Sequence, residues 1–441
     1  MLGEAAAGDT RGQRAYYGFF LAPFGAGAAI MTADICDRSH KGHELLELEQ
    51  ALALLLQRAK PISSTAELLP LPDCHGRILA QEVLMDRDEP PVRRSAMDGF
   101  AVMSADGLAP RKLIGEVFAG TAEIPSLQAG EAVAVMTGGT VADGADAVVP
   151  VELTAVTDGI LQIQQPCRPG QHVRNAGEMG AAGRQLLARG HRLYASDLAA
   201  VAGCGADPLQ VYSRPTVAIL STGDEVVPWT QRPQPHQVRD SNRLATCLQA
   251  KTAGADVVME QHVFDQPEAL LVALQEARRQ ADLVITIGGV SMGSKDHLPD
   301  AFQAAGFEKL FHGVSVQPGK PVWAGQADDQ TWALGLPGNP VSALVVFELL
   351  ARPLLATLAG VSPGAGSQFE SGIAGGAARA KRRVRFILAA FQRDEHGKTV
   401  VTPRLEAGSG DWTSLAGTQV LMKVPPRSEV AVGDAVEFLR L

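Results

Sequence analysis

The chain has 441 residues, more than one ordinary hydrophobic core can organise, so we expect two to four domains. Hydrophobic residues make up 46% and charged residues 20%, which is typical of a soluble globular protein and excludes a disordered one. The net charge of −9 and the aromatic content of 5% argue against a nucleic-acid-binding protein, because such domains carry a basic excess and stacking aromatics. A small anionic substrate stays compatible with this charge, since local loops can oppose it.

The first 43 residues differ in character from the rest. Arg11 and Arg14 precede the apolar stretch Tyr16–Ile30, which superficially resembles a signal peptide, but Pro23 and several glycines interrupt it. We therefore expect residues 1–43 to be a disordered or over-extended N-terminus, with a targeting signal as the alternative. No later segment reaches 18 apolar residues without a charge, which predicts no membrane span. The cysteines form no CxxC pair, so reduced thiols and a cytoplasmic location are expected.

The stretches 44–90 and 179–213 flank a different kind of sequence, and neither can enclose a full core alone. We expect them to pair in space as the two halves of an elongated linking domain. The first half predicts a helix over Glu44–Ala59 that Pro61 ends. The other predicted elements of this domain are a short helix at Ser64–Leu69, a strand within Cys74–Leu84 and a helix at Asp197–Ala202.

The stretch 91–178 predicts an inserted β-rich domain. Short apolar runs alternate with turn signals about every ten residues, the pattern of a small sheet or barrel. Asp98-Gly99 marks a turn before the first strand, and Thr137 lies on a glycine-rich turn. The strands are predicted at Phe100–Met103, Lys112–Ala119, Ala132–Met136, Ala147–Glu152 and Ile160–Gln164.

Residues 214–362 alternate strand and helix, which predicts a parallel, doubly wound α/β domain. Its strands are predicted at Val217–Leu220, Asp256–Glu260, Leu283–Ile287 and Trp332–Leu336. Its helices are predicted at Asp240–Ala253, Pro267–Arg279, Leu298–Ala305 and Val341–Leu358, the last bent or divided by Pro353. After a linker at Ser362–Gln368, residues 369–441 predict a β-barrel-like C-terminal domain with strands at Arg382–Ala390, Thr399–Arg404, Gln419–Val424 and Ala435–Leu439.

Polar, glycine-rich loops follow three predicted strands of the α/β domain. They are Ser221–Glu225, the segment from Gly288-Gly289 through Ser291 to Asp296, and Pro337–Asn339. Ligands bind at the carboxyl ends of parallel strands, where hydroxyl, N–H and carboxylate groups can hold an oxyanion and Mg²⁺. A hydrogen-bonded turn is the alternative for each loop alone, but three such loops at one edge predict a binding site.

Further polar groups are expected near the same edge. Asp240 or Ser241 is predicted to cap the next helix, and Pro337–Asn339 opens the last long helix, whose free N–H groups and dipole suit an anion. Lys320 lies in the constrained stretch QPGKP and is suited to an anionic group, with a solvated lysine as the alternative.

Several motifs occur in one order along the chain: SAMDGFAV (95–102), VMTGGT (135–140), STGDE (221–225), GGVSMGSKD (288–296), QPGKP (317–321) and LPGNPVSA (336–343). Each is weak alone, but the joint set is specific. By these motifs, residues 44–441 resemble the molybdopterin molybdenumtransferases, the family of bacterial MoeA, its plant homologues and the E domain of gephyrin. The resemblance implies insertion of molybdate into adenylylated molybdopterin with Mg²⁺-dependent release of AMP.

The resemblance also implies partners. In the family's homodimers the inserted domain of one subunit faces the α/β domain of the other, so the active site is composite. The adenylyltransferase of the same pathway and molybdoenzyme chaperones are further expected partners, whereas nucleic acid and membrane are not.

The family's functional residues can be carried over by motif position. The resemblance implies catalytic roles for Asp98 and Thr137 of the inserted domain and for Glu225, Asp296 and Lys320 of the α/β domain. Glu225 and Asp296 would be the carboxylates on the Mg²⁺ side. Substrate binding is expected at Ser221, Thr222, Gly223, Asp224, Asp240, Asn242, Gly288, Gly289, Ser291, Pro337, Gly338, Asn339, Arg385 and Ser409.

The chain departs from the family pattern at a few positions. Met179 stands where an aspartate is usual, Gln317 and Gly313 stand at or near frequent lysines, and Leu388 stands near a frequent arginine. These departures motivate a second hypothesis, a catalytically weakened paralogue that binds molybdopterin or its molybdenum cofactor as a scaffold. A nucleotide-hydrolysing or amidase relative that shares only the α/β domain is a third.

Overall fold

The computed structural model describes residues 45–62, 66–290, 297–362, 369–404 and 407–441. The expected N-terminal extension at 1–43, the site residues Ser291 and Asp296, and most of the linker expected at Ser362–Gln368 lie outside the described residues. From Leu46 onward the chain forms one unit, which is built from three six-stranded sheets and smaller pairings.

The first helix, α1 (Leu48–Arg58), packs on the α/β domain. It begins four residues later than predicted, where Gln50 Oε1 accepts a hydrogen bond from the Glu47 N–H at 3.1 Å. Its apolar face belongs to the same hydrophobic cluster as the strands and last helix of the α/β domain, and Leu55 is fully buried in that cluster. Helix α1 therefore packs on the core of the α/β domain. Two strands follow it, β1 (Ala66–Leu69) and β2 (Val83–Leu84).

The inserted region is β-rich, as predicted. Its main sheet has the order β7-β4-β6-β5-β9-β8 and buries apolar side chains on both faces. The strand β8 was not predicted, because its side chains are mostly exposed and carry no apolar alternation. The strands are β3 (Arg94–Ser95), β4 (Gly99–Val102), β5 (Arg111–Val117), β6 (Glu131–Val135), β7 (Ala147–Pro150), β8 (Thr154–Thr157), β9 (Ile160–Ile163) and β10 (Val173–Arg174).

The chain then returns to pair with the segment before the insertion. It forms β11 (Gln185–Leu187), α2 (Ala195–Gly203) and β12 (Leu209–Tyr212). β12 pairs antiparallel with β1, and β11 pairs antiparallel with β2. The short helix predicted at Ser64–Leu69 is therefore wrong: the helix-forming residues of β1 are held as a strand by a partner far along the chain.

The α/β domain has a mixed sheet of order β16-β13-β17-β21-β20-β18. The strands β16, β13, β17 and β21 are parallel. β20 pairs antiparallel with β21, and β18 pairs antiparallel with β20; neither of these two strands was predicted. The predicted strands Leu283–Ile287 and Trp332–Leu336 are confirmed as β17 and β21. The elements are β13 (Thr216–Thr222), β14 (Val226–Val227), β15 (Val238–Arg239), α3 (Ser241–Thr252), β16 (Asp256–Val263), α4 (Pro267–Gln280), β17, α5 (Leu298–Ala304), β18 (Phe307–His312), β19 (Val316–Gln317), β20 (Trp323–Ala327), β21, α6 (Pro340–Val346) and α7 (Arg352–Leu358).

The last helix of this domain is divided before Pro353. A π-helical turn, Phe347–Ala351, separates α6 from α7, and the proline lies in the first turn of α7, where its missing N–H costs nothing. The whole stretch Pro340–Leu358 is long and apolar enough to cross a membrane by composition, but 72% of it is buried in the fold. It is therefore a core helix.

The C-terminal domain is a closed five-stranded barrel. The ring runs β24-β25-β22-β28-β26 and closes through the pairing of β24 with β26. β19 of the α/β domain adds to the barrel by parallel pairing with β24. The strand β22 was not predicted, since its sequence contains polar and glycine residues. The strands are β22 (Glu370–Ala374), β23 (Ala378–Arg379), β24 (Val384–Arg393), β25 (Thr399–Pro403), β26 (Val420–Val424), β27 (Glu429–Val430) and β28 (Ala435–Arg440).

The cysteines that the structure describes, Cys74, Cys167, Cys204 and Cys247, are buried free thiols. Burial and the neighbouring carboxylate of Glu260 raise the pKa of Cys247 to about 12, so this thiol is inert at neutral pH.

Candidate functional site

A cleft of about 910 Å³ opens at the carboxyl ends of the parallel strands. Three predicted loops converge on it, after β13, after β17 and after β21. The predicted residues that line it are Ser221, Thr222, Gly223, Glu225, Asp240, Asn242, Gly288, Gly289, Pro337, Gly338 and Asn339. The C-terminal barrel contributes Gly410 and Trp412, so the cleft lies between two domains.

The floor of the cleft is a buried polar network around Asp240. The Ser221 hydroxyl donates to Asp240 Oδ2 at 2.6 Å, and Asp240 caps α3 by accepting from the Arg243 N–H at 3.1 Å. The Arg243 guanidinium donates to the same carboxylate at 2.7 Å. Asp240 is only 4% exposed, and these donors satisfy its buried carboxylate oxygens. The Ser221 hydroxyl hydrogen is thus already used within the protein.

The glycine pair after β17 lets two loops approach closely. Gly288 has a φ of 96°, and a Cβ placed there would lie 3.0 Å from Thr222 Oγ1 and 3.1 Å from the Thr222 carbonyl. Only glycine fits both this backbone conformation and this spacing. The Val290 carbonyl lies 2.9 Å from His312 Nε2, so β18 supports the backbone directly after the glycine pair.

The third wall is the turn before α6. The Asn242 side chain donates to the Gly338 carbonyl at 2.7 Å, and the Asn339 side chain donates to Ser409 Oγ at 3.0 Å. The Val341 N–H donates to the Ser409 carbonyl at 3.1 Å, and Pro340 has no N–H. The C-terminal domain therefore uses one of the first N–H groups of this helix, and anion binding at this helix end stays a prediction.

Several lining residues were not predicted, notably the exposed tryptophans Trp229 and Trp412 and the guanidinium of Arg239. Trp229 and Arg239 lie on the segment 226–239 between the STGDE loop and α3, which carries no glycine motif. The sequence signal for these lining residues is a tryptophan within a polar stretch (PWTQRP, SGDWTS). Large aromatic side chains that are exposed to solvent often belong to a binding site.

Other predicted residues lie outside the lining of the cleft. Asp224 accepts a hydrogen bond from the Asp265 N–H at 3.2 Å, and Lys320 is exposed. Arg385 donates to the Arg379 carbonyl at 3.1 Å, and Ser409 contacts the cleft through its hydrogen bond with the Asn339 side chain. Ser291 and Asp296 lie outside the described residues.

Asp98 and Thr137 form a pair of their own on the inserted domain. The Thr137 N–H and hydroxyl donate to one Asp98 oxygen at 2.6 and 2.7 Å. The hydroxyl and then the backbone N–H of Thr137 hold the pKa of Asp98 below its usual value, so this exposed carboxylate is ionised at neutral pH. Neither residue lines the cleft of its own chain.

The predicted metal ligands are Glu225 and Asp296, of which Glu225 lies within the described residues. Across the described ranges no group of three or more His, Cys, Asp or Glu side chains could hold a metal ion. Glu225 lines the cleft, its carboxylate lies close over Gly223, and within the described chain no hydrogen bond or ion pair engages it. One carboxylate beside a substrate phosphate fits Mg²⁺, which commonly takes one or two protein carboxylates and keeps several waters.

Comparison with known proteins decides the family. Models of the MoeA N-terminal region (domain I and II), a probable molybdopterin binding domain and the MoeA C-terminal region (domain IV) match residues 46–205, 218–357 and 374–441. The chain is 37% identical to the molybdopterin molybdenumtransferase of Synechococcus elongatus over 324 residues, 70% of this chain and 80% of that relative. The chain belongs to the molybdopterin molybdenumtransferase family.

Other comparisons with molybdopterin molybdenumtransferases agree. The relative in Bacillus subtilis is 30% identical over 371 residues, which cover 81% of this chain and 86% of that relative. The solved structure of the molybdopterin biosynthesis moeA protein of Pyrococcus horikoshii superposes with a TM-score of 0.75 at 28% identity, covering 90% of this chain and 99% of that one. The family consists of transferases of molybdenum cofactor biosynthesis.

The residues at which this chain departs from the molybdopterin molybdenumtransferase pattern do not line the described cleft. Leu388 is fully buried in the core that the barrel shares with the α/β domain. Gly313 is buried beyond β18 and donates its N–H to the Val322 carbonyl at 2.7 Å. Met179 is 56% exposed at the end of the inserted region.

Proposed function

We propose that this chain inserts molybdate into adenylylated molybdopterin and releases AMP in a Mg²⁺-dependent step. The observation that carries the proposal is the convergence of three loops on one cleft of about 910 Å³, beside the carboxylate of Glu225, which no described residue engages by a hydrogen bond or ion pair. Ligand pockets span about 300–1,000 Å³, and a substrate with two fused ring systems needs the upper end of that range.

Different groups of the cleft would fix its floor, bind the substrate oxygens and hold Mg²⁺. Ser221 already donates to Asp240, so we assign it to fixing the floor and not to the anion. Contacts to substrate oxygens would fall to loop N–H groups, to the second N–H of the Asn242 amide and to the cation Arg239. Lys320 does not line the cleft but is next in sequence to the lining residue Pro321, so a substrate that extends beyond the cleft would meet it. Mg²⁺ held by Glu225 and Asp296 would neutralise charge on the phosphate oxygens as AMP leaves.

We further propose that the active site is composite within a homodimer. Asp98 and Thr137 are an ionised, exposed pair that does not line the cleft of its own chain. The neighbouring side chains Met97 and Met136 are 39% and 40% exposed, and large exposed apolar residues beside a polar pair are typical of an interface. Delivery by the adenylyltransferase, transfer to molybdoenzyme chaperones and a cytoplasmic location belong to the same proposal.

The test is a reconstituted reaction. Purified protein receives adenylylated molybdopterin, Mg²⁺ and micromolar molybdate, and AMP release and cofactor formation are followed together. We expect molybdate-dependent release of AMP, and a Glu225→Gln variant that needs more Mg²⁺ for half-maximal rate. The matched control is Glu268→Gln, an exposed carboxylate in the first turn of α4.

The same reaction separates the enzyme from the scaffold hypothesis. Tight binding of molybdopterin with no molybdate-dependent release of AMP would rule out the proposed activity and favour the binding paralogue.

A further inference from the structure

The cleft contains the exposed tryptophans of the chain. Of its four tryptophans, Trp323 and Trp332 are 0% and 1% exposed and belong to the core. Trp229 and Trp412 are 39% and 64% exposed, and both line the cleft. They come from different domains, Trp229 from the α/β domain and Trp412 from the C-terminal barrel. Two large rings left in solvent at one opening require an explanation that core packing does not supply.

Trp229 is held from behind. The guanidinium of Arg243 lies over its ring at 5.2 Å from the centroid, a cation–π contact. Arg243 is itself fixed by Asp240, whose Oδ2 lies 2.7 Å from Arg243 Nε, and the Glu260 carboxylate lies 3.8 Å from Arg243 Nη1. One face of the Trp229 ring is therefore covered by the Arg243 guanidinium, whose position Asp240 fixes, and the exposed part of the Trp229 side chain lines the cleft.

Trp412 is fixed through its backbone. It begins a short 3-10 helix, Trp412–Leu415, whose cap is Asp411. The Asp411 carboxylate accepts from the Thr413 N–H at 3.1 Å and from the Ala407 N–H at 3.1 Å. The Trp412 N–H donates to the Gly410 carbonyl at 3.0 Å. The ring thus projects from an ordered turn, which lowers the entropy that stacking on a ligand would cost.

We propose that Trp229 and Trp412 are the stacking residues of this cleft and hold planar, fused nitrogen heterocycles, the class to which pterin and adenine both belong. The inference rests on the proposed function, because adenylylated molybdopterin carries one ring system of each kind. Aromatic side chains bind such rings through their π-faces without reading their edges. The two tryptophans therefore set which planar substrates enter, whereas the polar loops set their orientation.

The test uses the full chain with AMP and pterin-6-carboxylate as separate probes. Because the other tryptophans are buried, iodide-accessible fluorescence reports on Trp229 and Trp412 alone, and we expect each bound probe to reduce iodide quenching. Dissociation constants are then measured for Trp229→Leu and Trp412→Leu. We expect a rise of about 5- to 100-fold for at least one probe in each variant, the range for losing one stacked base.

Matched variants separate stacking from general damage. Trp229→Phe and Trp412→Phe retain a π-face and are expected to recover most of the affinity. Tyr194→Leu removes an aromatic ring that is 55% exposed on the linking domain, outside the cleft, and is expected to change neither dissociation constant. The probe that responds in each leucine variant identifies which ring that tryptophan holds.

The outcomes are distinguishable. Unchanged binding of both probes in both leucine variants, in a protein that still forms cofactor, overturns this inference and leaves the proposed function standing. Wild-type protein that binds neither probe and forms no cofactor overturns both.

Discussion

One carboxylate oxygen of Asp98 accepts both the backbone N–H and the hydroxyl of Thr137, at 2.6 and 2.7 Å. Both donors favour the ionised carboxylate, so the pKa of Asp98 lies below its usual value in the folded protein. A carboxylate whose pKa is lower in the folded than in the unfolded state stabilises the fold at pH values above its unfolded-state pKa. This stabilisation is lost as the pH falls through the folded-state pKa. The pair is thus arranged to keep a charge at neutral pH.

Replacing Thr137 by valine removes the hydroxyl donor and leaves the N–H. We expect the pKa of Asp98 to rise towards its usual value, and the acid limb of the pH–rate profile to move to higher pH. Thr157→Val, an exposed threonine on the edge strand of the same sheet, is the control. An acid limb that does not move would remove Asp98 from the groups that set the rate.

A composite site predicts complementation between two variants that are each inactive at a limiting Mg²⁺ concentration. Asp98→Asn damages the inserted domain and Glu225→Gln damages the cleft, so a mixed dimer keeps one intact site. Random assortment should therefore restore about a quarter of the wild-type rate after subunit exchange. AMP release from the mixture is compared with that of each variant alone, and a mixture no faster than its components would place the whole site in one subunit.

Loss of the Asp240 carboxylate should destabilise the fold. Asp240→Ala leaves the Ser221 hydroxyl and the Arg243 guanidinium without their acceptor in a buried site, which costs about 3–5 kcal/mol. The control is Asp256→Ala, whose ion pair with Arg214 at 3.5 Å is about half exposed on both sides and contributes at most about 1 kcal/mol. Urea unfolding measures both, and equal losses would show that the buried network is not what stabilises this edge.

The glycine turn after β17 can be tested by adding a methyl group. Gly288→Ala meets a φ of 96° and the carbonyl of Thr222 at 3.1 Å, so we expect a loss of about 1–3 kcal/mol and weaker probe binding. Gly397→Ala, in the hairpin between β24 and β25, has a φ of 76° with nothing within 4 Å of the added atom. It isolates the backbone cost, and an equal loss in the two variants would mean that the contact with Thr222 does not matter.

Sequence patterns located the elements whose signal is local. β17 (LVITI) and β21 (WALGL) are short, mostly apolar runs bounded by polar, glycine or proline residues, and both were predicted to the residue. β18 and β20 were not, because Glu308 and Lys309 interrupt one and Gly325 and Gln326 the other, and their pairing is what makes them strands. The position of α1 on the α/β core also depends on contacts far along the chain.

The same distinction applies to the site. Glycine, hydroxyl and amide residues of the three loops were predicted because each follows a strand that is itself visible in the sequence. Trp412 lines the same cleft as Trp229 only because the barrel packs on the α/β domain, and no sequence spacing reveals that packing. The hydrogen bond between Asn339 and Ser409, which joins the two domains at 3.0 Å, depends on the same packing.

The pairing of β19 with β24 has a bearing on how this protein can change in evolution. The strand that leads into Lys320 is also an added strand of the barrel, and Phe386, Leu388 and Leu421 share one core with α1 and the α/β sheet. A crossover between two homologous genes at the joint between α7 and β22 would separate surfaces that were selected together. We therefore expect chimaeras that exchange only the C-terminal domain to need compensating changes in the α/β core, so the two domains are inherited as one block.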